Sequence, residues 1–359
     1  MVLKNARIGD TVTDITVECG RIAAIGRTDE DGTDLCGRRV YPGLIDVHIH
    51  GCMGQDVSDR EDNLAFMAEH LLRHGTTSWC PTTMTVSSDD IVAATHKSTD
   101  FECGAEVIGF HLEGPFINPT KLGAQNPAHV FRPTLQLLER CKSVTRVTIA
   151  PELPGSKAFI EGAGCQVSLG HSDADYDTAK GAFRAGVSCL THTFNAMRGI
   201  HHRDPGPILA ARESEGVYAE LIADGKHVHP AAMRMLIDLM GDDRIVLVSD
   251  AVRALGMPDG EYELGGMNIV ITNGTAYTAD MHLAGSTSYL FDCVKTLIGC
   301  GISPDRAVKM ASENPARMLG LKKGKIDVGY DADLIAVSED FSLDFVIKGG
   351  TVYDVRMEK

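Results

Sequence analysis

Between residues 43 and 320 the chain alternates short apolar runs with longer amphipathic stretches, and this alternation limits the fold more than any other feature. Residues 107–112, 144–150, 166–171, 218–223 and 245–250 read as strands, being short and rich in β-branched residues. Residues 174–185 and 231–240 read as helices. Strand–helix alternation builds a parallel sheet with helices on its outside. It recurs too often for a small sheet, so the expected fold is α/β, a (β/α)8 TIM-like barrel. An open doubly wound sheet is the runner-up, but no Gly-rich phosphate loop stands at the first strand–helix turn.

The two ends of the chain differ from the middle. Residues 15–18 and 22–26 form a hairpin pattern around Cys19-Gly20-Arg21, and residues 333–337 and 345–353 read as strands broken by turn residues. We therefore expect residues 1–42 and 321–359 to build one small β-sandwich domain, with residues 43–320 forming the barrel. Residues 259–283 contain three short strand patterns with Gly turns, read as an excursion after the last barrel strand.

The formal net charge is −15 and no Lys/Arg-rich run is present, which argues against nucleic acid or an anionic membrane as a partner. No stretch is long and apolar enough to span a bilayer, and residues 1–7 lack the apolar core of a signal peptide. None of the ten cysteines forms a C-x-x-C pair, so they read as free thiols in a reducing cytoplasm. Cys52 lies two residues after His50 and is expected to pack rather than bind metal.

The polar residues at the strand ends carry the chemistry. His48 and His50 are two residues apart on a strand pattern, so both imidazoles point to one face. Glu113, His171, His192 and Asp250 each close a further strand candidate. In a barrel those ends converge on one mouth. A single strand-end histidine is more often a hydrogen-bonded structural residue than a ligand, and His70, His74, His96 and His129 are assigned to surface or packing. Six such groups on five strand candidates point to a site. Imidazole and carboxylate suit zinc and similar divalent ions, which lower the pKa of a bound water towards ~7 and polarise a carbonyl. The remaining carboxylate, Asp250, is then the natural proton shuttle.

The stretch Pro42-Gly43-Leu44-Ile45-Asp46-Val47-His48-Ile49-His50-Gly51 resembles the opening metal motif of the amidohydrolase superfamily. The segments 111–116, 191–197, 202–206, 223–228, 248–251 and 283–286 narrow the resemblance to the N-acetylglucosamine-6-phosphate deacetylase family, over essentially the whole chain. The lack of a signal-peptide core and of a membrane span reads as a cytoplasmic protein, and the resemblance implies a homodimer that hydrolyses an amino-sugar phosphate with one or two divalent ions, zinc first, releasing acetate. It implies Glu113, His171 and His192 as ligands of the principal metal, and His48 and His50 as ligands of a second. It implies Asp250 as catalytic acid/base and His227 as the residue orienting the acetamide carbonyl. Asn195, Ala196, Ala124, Gln125, Leu283, Ala284 and Gly285 match substrate contacts. Arg203, with His202 beside it, matches a phosphate contact presented by the neighbouring subunit. No lysine in these motifs offers the carbamylated bridge of hydantoinase-like relatives.

Two other functions remain open on the sequence. Another amide hydrolase or deaminase of the superfamily would share the metal ligands without needing a phosphate site. A non-catalytic relative would be expected to have lost ligands, whereas all six candidates are present.

Overall fold

In a computed structural model of the chain, which describes residues 1–356, eight parallel strands follow one another around a nearly closed barrel. They are β1 (Leu44–Ile49), β2 (Thr76–Thr83), β3 (Phe110–Glu113), β4 (Val144–Ile149), β5 (Gln166–Leu169), β6 (Val187–Leu190), β7 (Tyr218–Ile222) and β8 (Ile245–Val248). Neighbours pair in parallel from β1 to β8. The seam is held by Asp250 N–H donating to the His48 carbonyl (2.9 Å), His50 N–H donating to the Ala251 carbonyl (2.8 Å), and Ser249 N–H donating to Asp46 (3.2 Å). This seam matters functionally, because it locks the His48/His50 end of the sheet to the Asp250 end.

Each strand is followed by a helix. Tyr176–Ala185 is typical: the Asp175 side chain accepts from Thr178 N–H, Asp177 lies in the first turn, and Gly186 ends the helix. Its Ala179, Ala182 and Phe183 face the barrel. The floor of the barrel is closed by the segment after helix Glu313–Met318. There Met318, Leu319 and Leu321 pack against Ile45, Val47, Cys80, Ile222, Val246 and Val248.

Both chain ends contribute to one eight-stranded sheet, with Val2–Ile8, Thr11–Glu18 and Arg39–Pro42 from the start and Leu334–Val337, Leu343–Lys348 and Thr351–Asp354 from the end. Leu334–Val337 shows how the sheet joins the barrel. Leu334 and Ala336 belong to a separate core with Leu3, Ile15, Val17 and Phe345. Ile335 and Val337 point the other way into the main core, the two-residue period of a strand buried on both faces. Residues 357–359, expected in the same unit, lie outside the described residues.

Three expectations shift. The strand expected over 107–112 is two pieces, Glu106–Val107 and Phe110–Glu113. Gly109 breaks it at φ +113°, where a Cβ would stand 2.2 Å from Thr145 Cγ2. The strands expected to end at His171 and Asp250 end two residues earlier, for a reason given below. The third is β2, which the apolar pattern did not mark. The predicted excursion is a three-stranded antiparallel sheet, Gly260–Leu264, Met267–Thr272 and Thr275–Thr278, inserted between β8 and helix Leu290–Gly299.

Candidate active site

The same local device delivers three of the polar groups. His171, His192 and Asp250 each stand two residues beyond β5, β6 and β8, at φ +46°, +27° and +48°. These are left-handed conformations that cost a residue with a Cβ about 1–3 kcal/mol each. Each turns a side chain off the end of its strand and into the barrel mouth, which is why those strands stop early. Gly170, just before His171, is needed for a close approach: a Cβ there would meet Thr191 Cβ at 2.6 Å and Thr148 Cγ2 at 2.7 Å. His48 lies on β1, His50 just beyond it, and Glu113 is the last residue of β3.

These groups meet around Glu113. Its Oε1 lies 2.8 Å from His192 Nε2, 3.1 Å from His171 Nε2 and 3.4 Å from His48 Nε2. Its Oε2 lies 3.1 Å from His50 Nε2. Asp250 Oδ1 is 3.4 Å from His48 Nε2 and 3.3 Å from His50 Nε2. All six are buried. Three far nitrogens are tied down: His48 Nδ1 to Glu220 (3.0 Å), His50 Nδ1 to the Thr82 carbonyl (3.2 Å), and His171 Nδ1 to the Lys121 carbonyl (2.7 Å). Each such bond places the ring proton at the back and leaves the Nε2 lone pair facing the cluster.

A metal fits this arrangement. His171 and His192 Nε2 stand only 3.1 Å apart, both against one carboxylate oxygen. His48 Nε2 is buried with no hydrogen-bond partner. Two donor sets, His48–His50–Glu113 and Glu113–His171–His192, each converge within 4.8 Å. Converging lone pairs of this kind are held together by a divalent cation. Burial alone would raise the Glu113 carboxyl, but the surrounding imidazoles of His48 and His171 hold it well below the usual carboxylate range. Burial acts likewise on Asp250, and His48 and His50 keep it lowered. Both groups are therefore carboxylates at neutral pH.

The cluster, all but the more deeply buried His48, lines the floor of a cavity of about 420 Å3, a size suited to a small polar ligand. Asn195, Ala196, Ala124, Gln125, His227, Leu283 and Gly285 line it. Ala284 does not; it is buried behind the wall with Ile269 and Ile271. Gln125 has both ends engaged, its Nε2 donating to Glu113 Oε2 (2.5 Å) and its Oε1 accepting from Thr85 N–H (2.7 Å). His227 Nδ1 is 2.7 Å from Asp224, which fixes the ring and leaves Nε2 as its free nitrogen. Burial would raise Asp224, and the hydrogen bond to His227 more than offsets it. Arg203 and His202 are not brought to this cavity. They sit on an exposed loop, with Arg203 Nη1 2.7 Å from His202 Nε2.

The motif reading missed Lys121 and His282, which line the cavity, and the buried pair Arg146 and Glu220 beneath it. The signal for the pair was present: an ionised residue at an inward position of an otherwise apolar strand must have a buried partner. Cys52 is buried in the main hydrophobic core, and burial pushes its thiol up to about 12. Only the thiolate is a good ligand. Cys52→Ala is expected to leave metal content unchanged by elemental analysis, and a clear drop would place Cys52 in the ligand set.

The chain belongs to the amidohydrolase family, whose model matches residues 39–353, and it is a metal-dependent hydrolase. Its relatives within that family include N-acetylglucosamine-6-phosphate and N-acetylgalactosamine-6-phosphate deacetylases. It is 35% identical to N-acetylglucosamine-6-phosphate deacetylase of Lysinibacillus sphaericus, over 97% of this chain and 95% of that one. It is 38% identical to N-acetylgalactosamine-6-phosphate deacetylase of Escherichia coli O157:H7, over 89% and 88%. Among solved structures it resembles N-acetyl-D-glucosamine-6-phosphate deacetylase of Mycobacterium smegmatis in complex with N-acetyl-D-glucosamine-6-phosphate. The TM-score is 0.89 and the identity 31%, with 98% of each chain covered.

Proposed function

We propose that this enzyme hydrolyses the acetamide of N-acetylglucosamine 6-phosphate, giving glucosamine 6-phosphate and acetate. The observation that carries the reading is the convergence of four histidines, Glu113 and Asp250 at the base of one cavity, with three of those histidines lining it, in a chain whose relatives carry that activity.

Glu113, His171 and His192 are the ligands we assign to the principal ion, and His48 and His50 with Glu113 those of a second. Zinc is the first choice for a set of imidazoles and one carboxylate. Such an ion supplies Lewis-acid polarisation of the amide carbonyl and a lowered water pKa. Asp250, ionised and beside both sets, accepts the proton of the attacking water and passes it to the nitrogen as the C–N bond breaks and the new C–O bond forms. His227, steadied by Asp224, orients the acetamide. Asn195, Ala196, Ala124, Gln125, Leu283 and Gly285 shape the sugar pocket, with Ala284 buttressing it.

The chain carries a net charge of −15, so a phosphorylated substrate needs a local cation. We assign that role to Arg203, with His202, presented by the partner subunit of a homodimer; its exposed position outside its own cavity supports this. The remaining assignments are a cytoplasmic location and two units, 1–42 with 321–359 and 43–320. Among the described residues no helix is long and apolar enough to cross a membrane.

Acetate release from N-acetylglucosamine 6-phosphate tests the reading against two comparison substrates. The unphosphorylated sugar should be much poorer, and equal rates would remove the phosphate site. N-acetylgalactosamine 6-phosphate tests a second reading, favoured by the 38% identity to the Escherichia coli enzyme. A hydrogen bond to a charged group is worth about 1.5–3 kcal/mol, so Arg203→Met should lower kcat/KM for the phosphorylated substrate roughly 10- to 150-fold. It should hardly change the rate on the free sugar. Mixing Asp250→Asn chains with Arg203→Met chains should restore part of the activity if the arginine crosses between subunits. Equal losses on both substrates would make Arg203 structural.

A further inference from the structure

Beneath the ligand cluster lies a buried ion pair that the steps above do not use. Glu220 on β7 and Arg146 on β4 are completely buried, and their side chains pair across the barrel interior. Two charges so placed lose their hydration, and a well-packed apolar pair of similar volume is often no less stable. The pair therefore calls for a reason other than stability.

Arg146 is fixed on every side. It donates to the Val47 carbonyl (2.8 Å), Ser168 Oγ (3.0 Å) and Gln166 Oε1 (2.7 Å) as well as to Glu220 Oε1. That holds the Glu220 carboxylate in one orientation. Its other oxygen, Oε2, accepts from His48 Nδ1 at 3.0 Å and from the backbone N–H of His192, also at 3.0 Å. The Glu220 carbonyl accepts from Thr193 N–H at 2.9 Å. His48 belongs to one donor set and His192 to the other. A single carboxylate oxygen thus grips a ligand ring of the first set and the strained turn, at φ +27°, that aims a ligand of the second.

We propose that Glu220, held by Arg146, is a positioning residue that fixes the two metal-ligand sets relative to one another. It sets His48 in the Nδ1–H tautomer, so that Nε2 faces Glu113, and it clamps the backbone from which His192 projects. The inference rests on the assignment of these histidines as metal ligands.

The test is Glu220→Gln, which keeps the shape and removes the charge. Cobalt(II) titration followed by visible absorption reads the affinity and geometry of each position. The affinity of the position using His48 and His50 should fall about 10- to 100-fold, the usual cost of losing such an outer partner. The position using His192 should fall less, because only its backbone is gripped. Unchanged affinities in the folded variant, with only a lower melting temperature of the metal-free protein, would overturn the proposal and leave Glu220 a structural residue. A wild type that binds a single ion would count against the two-ion assignment, and the Gln variant would still decide the proposal at that one position. Should the variant not fold, long-range 15N–1H spectra of zinc-saturated wild-type protein labelled at histidine decide instead, with His48 assigned by comparison with His48→Gln. A fixed Nδ1–H tautomer supports the proposal, and an Nε2–H tautomer overturns it.

Discussion

On the proposed mechanism, Asp250→Asn lowers kcat by about 10²–10⁴-fold, the usual contribution of a positioned general acid–base, and leaves metal content intact. The substitution is well suited to the site. Asp250 stands at φ +48°, and Asn tolerates that left-handed conformation better than almost any other residue with a Cβ. Its backbone N–H keeps its bond to the His48 carbonyl, so the seam between β8 and β1 survives. What is lost is a charge: the native carboxyl is held below the usual range by His48 and His50 despite its burial, and is ionised when water must be deprotonated. An amide cannot take that proton. A variant with near-wild-type kcat and normal metal content would remove Asp250 from the proton path.

Glu113→Gln is expected to have the larger effect, since it removes the one carboxylate shared by both donor sets. Each of the four histidines proposed as ligands has its Nε2 within 3.4 Å of Glu113. A neutral amide neither attracts a dication nor bridges two. Metal-ion catalysis contributes several kcal/mol of transition-state stabilisation. At about 1.4 kcal/mol for each factor of ten, activity should fall at least about 10³-fold. Elemental analysis should show both positions depleted. Full metal occupancy in the folded variant would move the ligand assignment elsewhere.

Much of this site was legible in the sequence because a barrel imposes a rule: polar groups that close successive strands must meet. His48, His50, Glu113, His171, His192 and Asp250 meet on that rule alone. The rest was hidden for physical reasons. β2 reads Thr-Thr-Ser-Trp-Cys-Pro-Thr-Thr, with five hydroxyls and a proline, yet all eight residues are buried. Thr82 shows how such a strand is used locally: its Oγ1 accepts from Ile49 N–H, and its carbonyl holds His50 Nδ1. A proline in a strand normally argues against one, so neither period nor composition marks β2. Glu220 and Arg146 were hidden differently, because a charge in an apolar strand announces a partner without saying which one. Lys121 and His282 reach the cavity on connecting segments whose course no residue pattern fixes. Arg203 shows the opposite limit: the motif around it stands out in the sequence, but its loop is exposed and away from the cavity, and the phosphate role proposed for it requires a second copy of the chain.

The most direct test is acetate release from N-acetylglucosamine 6-phosphate by the purified protein, first stripped of metal by a chelator and then titrated with zinc. The account predicts no release from the stripped protein and recovery that follows occupancy of the site built on Glu113, His171 and His192. Undiminished release from protein shown to be metal-free would contradict it.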